Sequence, residues 1–167
     1  MAENRENVVM FPFMAQGHII PFLALALHIE KTRNYKITFV NTPLNIKKLR
    51  SSLPPNSSIQ LLEIPFNSSD HGLPPNTENC DVVPYQFVIK LLEASATLTP
   101  VFKDLIQDII LKQNGQRPLC LIGDIFFGWM SGLAQELGVF HAVFSGSGGF
   151  GLGCYYSFWL KSSIILE

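Results

Sequence analysis

From Val8 to Lys31 the chain reads VVMFPFMAQGHIIPFLALALHIEK. Val8 to Phe13 is a continuous apolar run with β-branched residues, the pattern of a buried strand. Ile20 to Lys31 has helical length and strong helix formers in Leu23, Ala24, Leu25, Ala26 and Leu27, with Pro21 acceptable in a first turn. Between the two stand Ala15, Gln16, Gly17 and His18, so a titratable imidazole falls where strand passes into helix. Lys36 to Asn41 (KITFVN) is strand-like again, which completes one strand-helix-strand unit.

The alternation continues outward. Pro43 to Arg50 suits a short helix, Ile59 to Ile64 a strand, and Pro84 to Lys112 a long helical segment interrupted at Pro100. Pro118 to Gly123 reads as a strand, Ile125 to Leu137 as a helix stopped by Gly138, and Val139 to Phe144 as a further strand. Apolar strands joined by helical crossovers predict an α/β fold: a Rossmann-like, doubly wound parallel sheet of about five or more strands with helices on both faces. The strand order expected of such a sheet is 3-2-1-4-5.

Composition narrows the function. The 167 residues are 47% hydrophobic and 15% charged, with 13 Phe, and 12 basic residues nearly balance 13 acidic ones for a net charge of −1. No basic patch for nucleic acid or anionic lipid is present. Cys80, Cys120 and Cys154 are odd in number and lack metal-ligand spacing, which points to reduced thiols, no metal site and a cytoplasmic location. The acidic-leaning N-terminus is unlike a secretory signal, so Asn56 and Asn67, each followed by two serines, read as loop residues. Ile19 to Ile29 and Gly148 to Leu160 are shorter than the roughly 20 residues of a membrane-spanning helix. A soluble monomer is the expectation.

The 3-2-1-4-5 order would make the first and fourth strands neighbours, with the ligand crevice beyond their carboxyl ends. His18 follows the first strand and Asp124 the fourth, which places a His-carboxylate pair on facing lips of one cleft. A carboxylate accepting from one imidazole nitrogen leaves the other free to take a proton from a substrate hydroxyl. Each residue also has a plainer reading: His18 as a loop residue, and Asp124 as the N-cap of the helix after it. His28, His71 and His141 have no comparable placement and read as structural. Gly146 to Gly151 (GSGGFG) matches the dinucleotide fingerprint G-x-G-x-x-G, though no second strand or acidic residue follows at the required spacing. A turn letting backbone approach a ligand, with hydroxyls from Ser145 and Ser147, is the other reading. Phe66 to Pro84, rich in Pro, Asn and Ser, is longer than most connections in such folds and suits a functional loop.

With these residues in view, the sequence resembles the N-terminal half of plant small-molecule UDP-glycosyltransferases, which have the two-domain GT-B fold. The resemblance rests on an ordered set: FPFMAQGHIIPFLALA, ITFVNTPLNIKKL, IPFNSSDHGLPPNTEN, CLIGDIFFGWMSGLAQELGV and HAVFSGSG. It implies that His18 is the catalytic base, that Asp124 supports it, and that Gly17 and Ser145 lie on the donor side. It further implies direct displacement of UDP with inversion, without a metal; the UDP-sugar is a co-substrate and no cofactor is called for. Phe87, Phe126 and Phe127 are candidates for an apolar acceptor pocket, while Trp129 is assigned to core packing.

The family's nucleotide-sugar signature box is not found in residues 1–167. The chain is therefore expected to be one N-terminal, acceptor-binding domain of a transferase, inactive alone, whose complete form moves a sugar, glucose foremost, onto a lipophilic hydroxyl compound such as a flavonoid. The rival expectations are an NAD(P)-dependent oxidoreductase, on the glycine run, and a non-catalytic small-molecule-binding domain.

Overall fold

The computed structural model describes residues 5–33 and 35–165, with side chains described as far as Lys161. Five strands form one sheet: β1 (Asn7–Phe11), β2 (Lys36–Asn41), β3 (Gln60–Glu63), β4 (Cys120–Asp124) and β5 (Phe140–Phe144). The order is β3-β2-β1-β4-β5 and all four pairings are parallel, as the alternation of elements predicts.

Helices α1 (Gln16–Thr32) and α2 (Pro43–Ser52) cover one face. Their Ile19, Phe22, Ala26, Ile46 and Leu49 pack with Val8, Met10, Ile37 and Phe39 of the sheet. The other face belongs to α3 (Val88–Ala96), α4 (Thr99–Lys112) and α5 (Trp129–Leu137). Here Leu91, Phe102, Ile106, Met130 and Leu133 meet Val9, Phe11, Val40 and Leu121. Adjacent residues of β1 thus serve opposite cores, because strand side chains alternate, and this is why the strands read as unbroken apolar runs. α6 (Gly149–Ile165) follows β5.

Several boundaries differ from the sequence reading, each for a physical reason. The β1 ladder stops at Phe11, not Phe13: Pro12 has no N–H to give, and the N–H of Phe13 goes to the Asp124 carboxylate. α1 begins at Gln16, four residues before Ile20, because the Gln16 N–H finds Asp81 Oδ2 at 3.1 Å. His18 is therefore the third helical residue, and Pro21 is the sixth, inside the helix. The long segment 84–112 is two helices parted at Thr97 and Leu98, with Pro100 in the first turn of α4. α5 starts at Trp129, not Ile125. Its far end agrees with the sequence, since Gly138 takes a left-handed φ of 62° that a glycine adopts without strain.

His141 lies on β5 with its Nε2 buried and without a hydrogen-bond partner. The ring sits against Gly123, where an added Cβ would come within 3.0 Å of that nitrogen. Burial pushes the His141 pKa below its ordinary value of 6.5. The unfolded chain then binds this proton more readily than the folded one, so stability is complete above the unfolded pKa and is lost as pH falls below it toward the folded value. Thermal unfolding at pH 7.5 and pH 5.5 is expected to show a drop on acidification that shrinks in His141→Gln; an equal drop in both proteins contradicts this.

Candidate active site

The site forms where β1 and β4 end side by side. Their register sets Phe11 opposite Gly123, so the residues that follow leave the sheet together. Asp124, the last residue of β4, is 1% exposed. Its Oδ2 accepts from the Phe13 N–H at 3.1 Å, its Oδ1 from the Phe126 N–H at 3.1 Å, and Oδ2 lies 2.8 Å from His18 Nδ1. A buried carboxylate needs such partners, and here they come from three segments. Asp124 caps the turn at Phe126 and holds the imidazole at once, but it is not a helix N-cap: α5 starts five residues later, with Gly128 at its N-cap position.

A carboxylate only accepts, so the hydrogen of the 2.8 Å bond belongs on Nδ1 and the lone pair of the neutral ring on Nε2. Two phenylalanines flank the ring as well, Phe13 in an edge-on contact at 5.5 Å and Phe126 tilted against it at 5.0 Å between centroids. His18 keeps 23% of its side-chain surface exposed, enough for one edge to meet a ligand.

Next to it is a cavity of about 130 Å³ lined by His18, Ile125, Phe126, Ser145, Ser147, Gly151, Leu152 and Tyr155. His18, Ser145 and Phe126 are thus brought together. Gly17 is exposed in the first turn of α1, one residue from His18, with open space where a Cβ would stand. Phe87 is not brought there: it packs at the edge of the core under the Lys90 ammonium, 5.6 Å from the ring centre. Phe127 is a correction. At 1% exposure it belongs to the core, 4.7 Å from the Phe11 ring, because the Asp124 turn sends successive phenylalanines to opposite sides. Trp129 packs against the same core, as assigned. Sequence reasoning missed Tyr155; the spacing 151, 152, 155 marks one face of a helix and would have found it.

The loop from Phe66 to Pro84 is built into the site's support. Besides Asp81 on α1, Glu78 Oε2 accepts the Leu44 N–H of α2 at 2.7 Å. Neither helix has a side-chain cap of its own at Ala15 or Thr42, so this loop supplies both, with carboxylates at the positive helix ends. Asn45 joins Asn41, Thr42, Glu78 and Asn79 in a buried network. Burial, with the Asp81 charge beside it, pushes the Cys80 thiol up to about 11, which leaves this cysteine unfit as a nucleophile. The three cysteines are unpaired. Among the described residues no His/Cys/Asp/Glu cluster could hold a metal, and no helix is long and apolar enough to cross a membrane.

No protein-family model matches the chain. It is 55% identical over 170 residues to UDP-glycosyltransferase 92A1 of Arabidopsis thaliana, covering 96% of this chain and 35% of that protein. It is 45% identical over 157 residues to crocetin glucosyltransferase 3 of Crocus sativus, covering 93% and 33%. By sequence, the chain is similar to plant UDP-glycosyltransferases. It spans about a third of the length of these relatives. Among solved structures, Arabidopsis thaliana UGT89C1 complexed with UDP-L-rhamnose superposes with a TM-score of 0.67 at 24% identity, over 83% of this chain and 35% of that one. That likeness establishes the fold, a Rossmann-like N-terminal domain of the plant UDP-glycosyltransferase type.

The triple role of Asp124 has a measurable cost. Asp124→Ala strands the N–H groups of Phe13 and Phe126 and is expected to lower the unfolding free energy by about 2–4 kcal/mol. Asp124→Asn, which keeps one oxygen but sets an NH₂ against the other donor, should fall between. Urea unfolding followed by circular dichroism measures both; an Ala variant as stable as the parent contradicts the assignment.

Proposed function

We propose that this chain carries the acceptor side and the catalytic base of a UDP-sugar-dependent transferase acting on small lipophilic hydroxyl compounds. The observation that carries the reading is the 2.8 Å bond between His18 Nδ1 and buried Asp124 beside an open cavity. The names of its relatives support the same chemistry. In the proposed reaction, His18 Nε2 takes the proton of the acceptor hydroxyl as its oxygen attacks the anomeric carbon. The bond from that carbon to the diphosphate oxygen breaks and UDP leaves with the electron pair. One displacement inverts the anomeric centre and needs no protein nucleophile, which suits a site offering an imidazole and a carboxylate. Asp124 stabilises the imidazolium that forms and holds the ring in the reactive tautomer.

The acceptor would rest against Phe126, which is 38% exposed and tilted against the His18 ring. Ser145 and Ser147 would face the donor, with Gly17 leaving room for it. Glucose is the proposed sugar, since the Crocus relative is named a glucosyltransferase. A flavonoid-like acceptor is proposed because UGT89C1 has been solved with quercetin. The donor would be gripped largely by residues outside this third of the relatives' length, so the chain alone is expected to be inactive. Neither metal nor cofactor enters the proposed step, and free thiols suit a cytoplasmic, monomeric enzyme.

The test joins this chain to the remaining two-thirds of the Arabidopsis relative and follows glucose transfer from UDP-glucose to an activated phenol. His18→Ala is expected to reduce turnover by about 10²–10⁴-fold, and Asp124→Asn to reduce it with acceptor binding retained. Undiminished transfer by His18→Ala refutes the base. Phenol binding that survives with no turnover in any version favours a binding domain instead.

A further inference from the structure

Gly146 opens the glycine run after β5, and its lack of a side chain is required by space, not by conformation. The described glycines with a left-handed backbone are Gly72, Gly115 and Gly138; Gly146 is not among them. A Cβ at 146 would lie 2.8 Å from Pro21 Cγ, 3.1 Å from Pro21 Cβ and 3.1 Å from the Gly17 carbonyl oxygen. The proline ring is closed on its own backbone inside α1 and cannot rotate aside. At Gly148, Gly149 and Gly151 an added Cβ meets nothing within 4 Å. One glycine of the run is therefore consumed by an internal contact, the reverse of what a pyrophosphate-cradling fingerprint needs.

The contact joins the two sides of the cavity. Pro21 has no N–H for the carbonyl four residues earlier, that of Gly17, so ring and carbonyl form a notch one residue from His18. The turn seated in it is closed by the Ser147 N–H donating to Ser145 Oγ at 3.2 Å. Ser145 and Ser147 flank Gly146 and line the cavity with His18. We infer that Gly146 is a positioning residue: its seat against Pro21 and Gly17 sets the separation between the Ser145 and Ser147 hydroxyls and the His18 imidazole. As a statement about catalysis this rests on the transferase reading, in which those serines meet the donor sugar.

The geometric half is tested on this chain alone, by amide and imidazole NMR shifts. Gly146→Ala is expected to move the resonances of His18 and of 145–148, Gly148→Ala to leave His18 in place, and Gly146→Ala with Pro21→Ala to restore most of the parent pattern. A silent Gly146→Ala, an equal effect from Gly148→Ala, or no restoration overturns the proposal. Should Gly146→Ala fail to fold, Pro21→Ala alone, which empties the notch, must move the same resonances or the proposal falls. In the two-part enzyme, Gly146→Ala is expected to raise the KM for UDP-glucose about tenfold while the acceptor KM and the pH profile stay put; an unchanged donor KM overturns the positioning role. A parent enzyme that transfers no sugar while the NMR pattern holds faults the transferase reading and leaves the seat standing.

Discussion

The Asp124 carboxylate is the point on which the carboxyl end of this sheet converges. It is buried, it ends β4, and it is bonded to the chain leaving β1, to its own turn and to His18. A buried charge without partners costs several kcal/mol, so the three donors and the carboxylate require one another. The parallel β1–β4 register brings them within reach, and the apolar packing on both faces keeps that register from slipping. Sheet topology and the imidazole-carboxylate pair are two descriptions of one arrangement.

A second constraint acts through the helix starts. Both helices on the His18 side begin on backbone N–H groups that local residues do not cap, and acids more than thirty positions away do so instead. His18 is steady because α1 starts where it does, and α1 starts there because Asp81 receives its first N–H. The loop and His18 are thus mechanically one unit, although they are far apart in the chain.

This division explains what the sequence made legible. Strand identity, parallel pairing and the order around β1 follow from patterns of apolar residues within ten or fifteen positions, and these agree with the structure. The His18–Asp124 contact was readable because it follows from order alone. What escaped depends on partners distant in sequence: the four extra residues at the start of α1, which need Asp81, and the shortened β1, which needs Asp124. Phe126 and Phe127 are chemically alike and adjacent, and only the turn geometry decides that one faces the cavity and the other the core. Gly146 was legible as a glycine in a motif, but its reason, the ring of Pro21, lies 125 positions away.

Between its pinned ends the loop carries a short exposed stretch, Pro74 to Asn76, bounded by buried Leu73 and Thr77. Closing a longer arc between fixed points costs only about 0.6 kcal/mol for each doubling of its length. The exposed stretch can therefore be redimensioned, by insertion or deletion, while the anchors hold. Its length is thereby uncoupled from the two helix starts that Glu78 and Asp81 secure, so this arc is free to vary while the frame around His18 stays as it is.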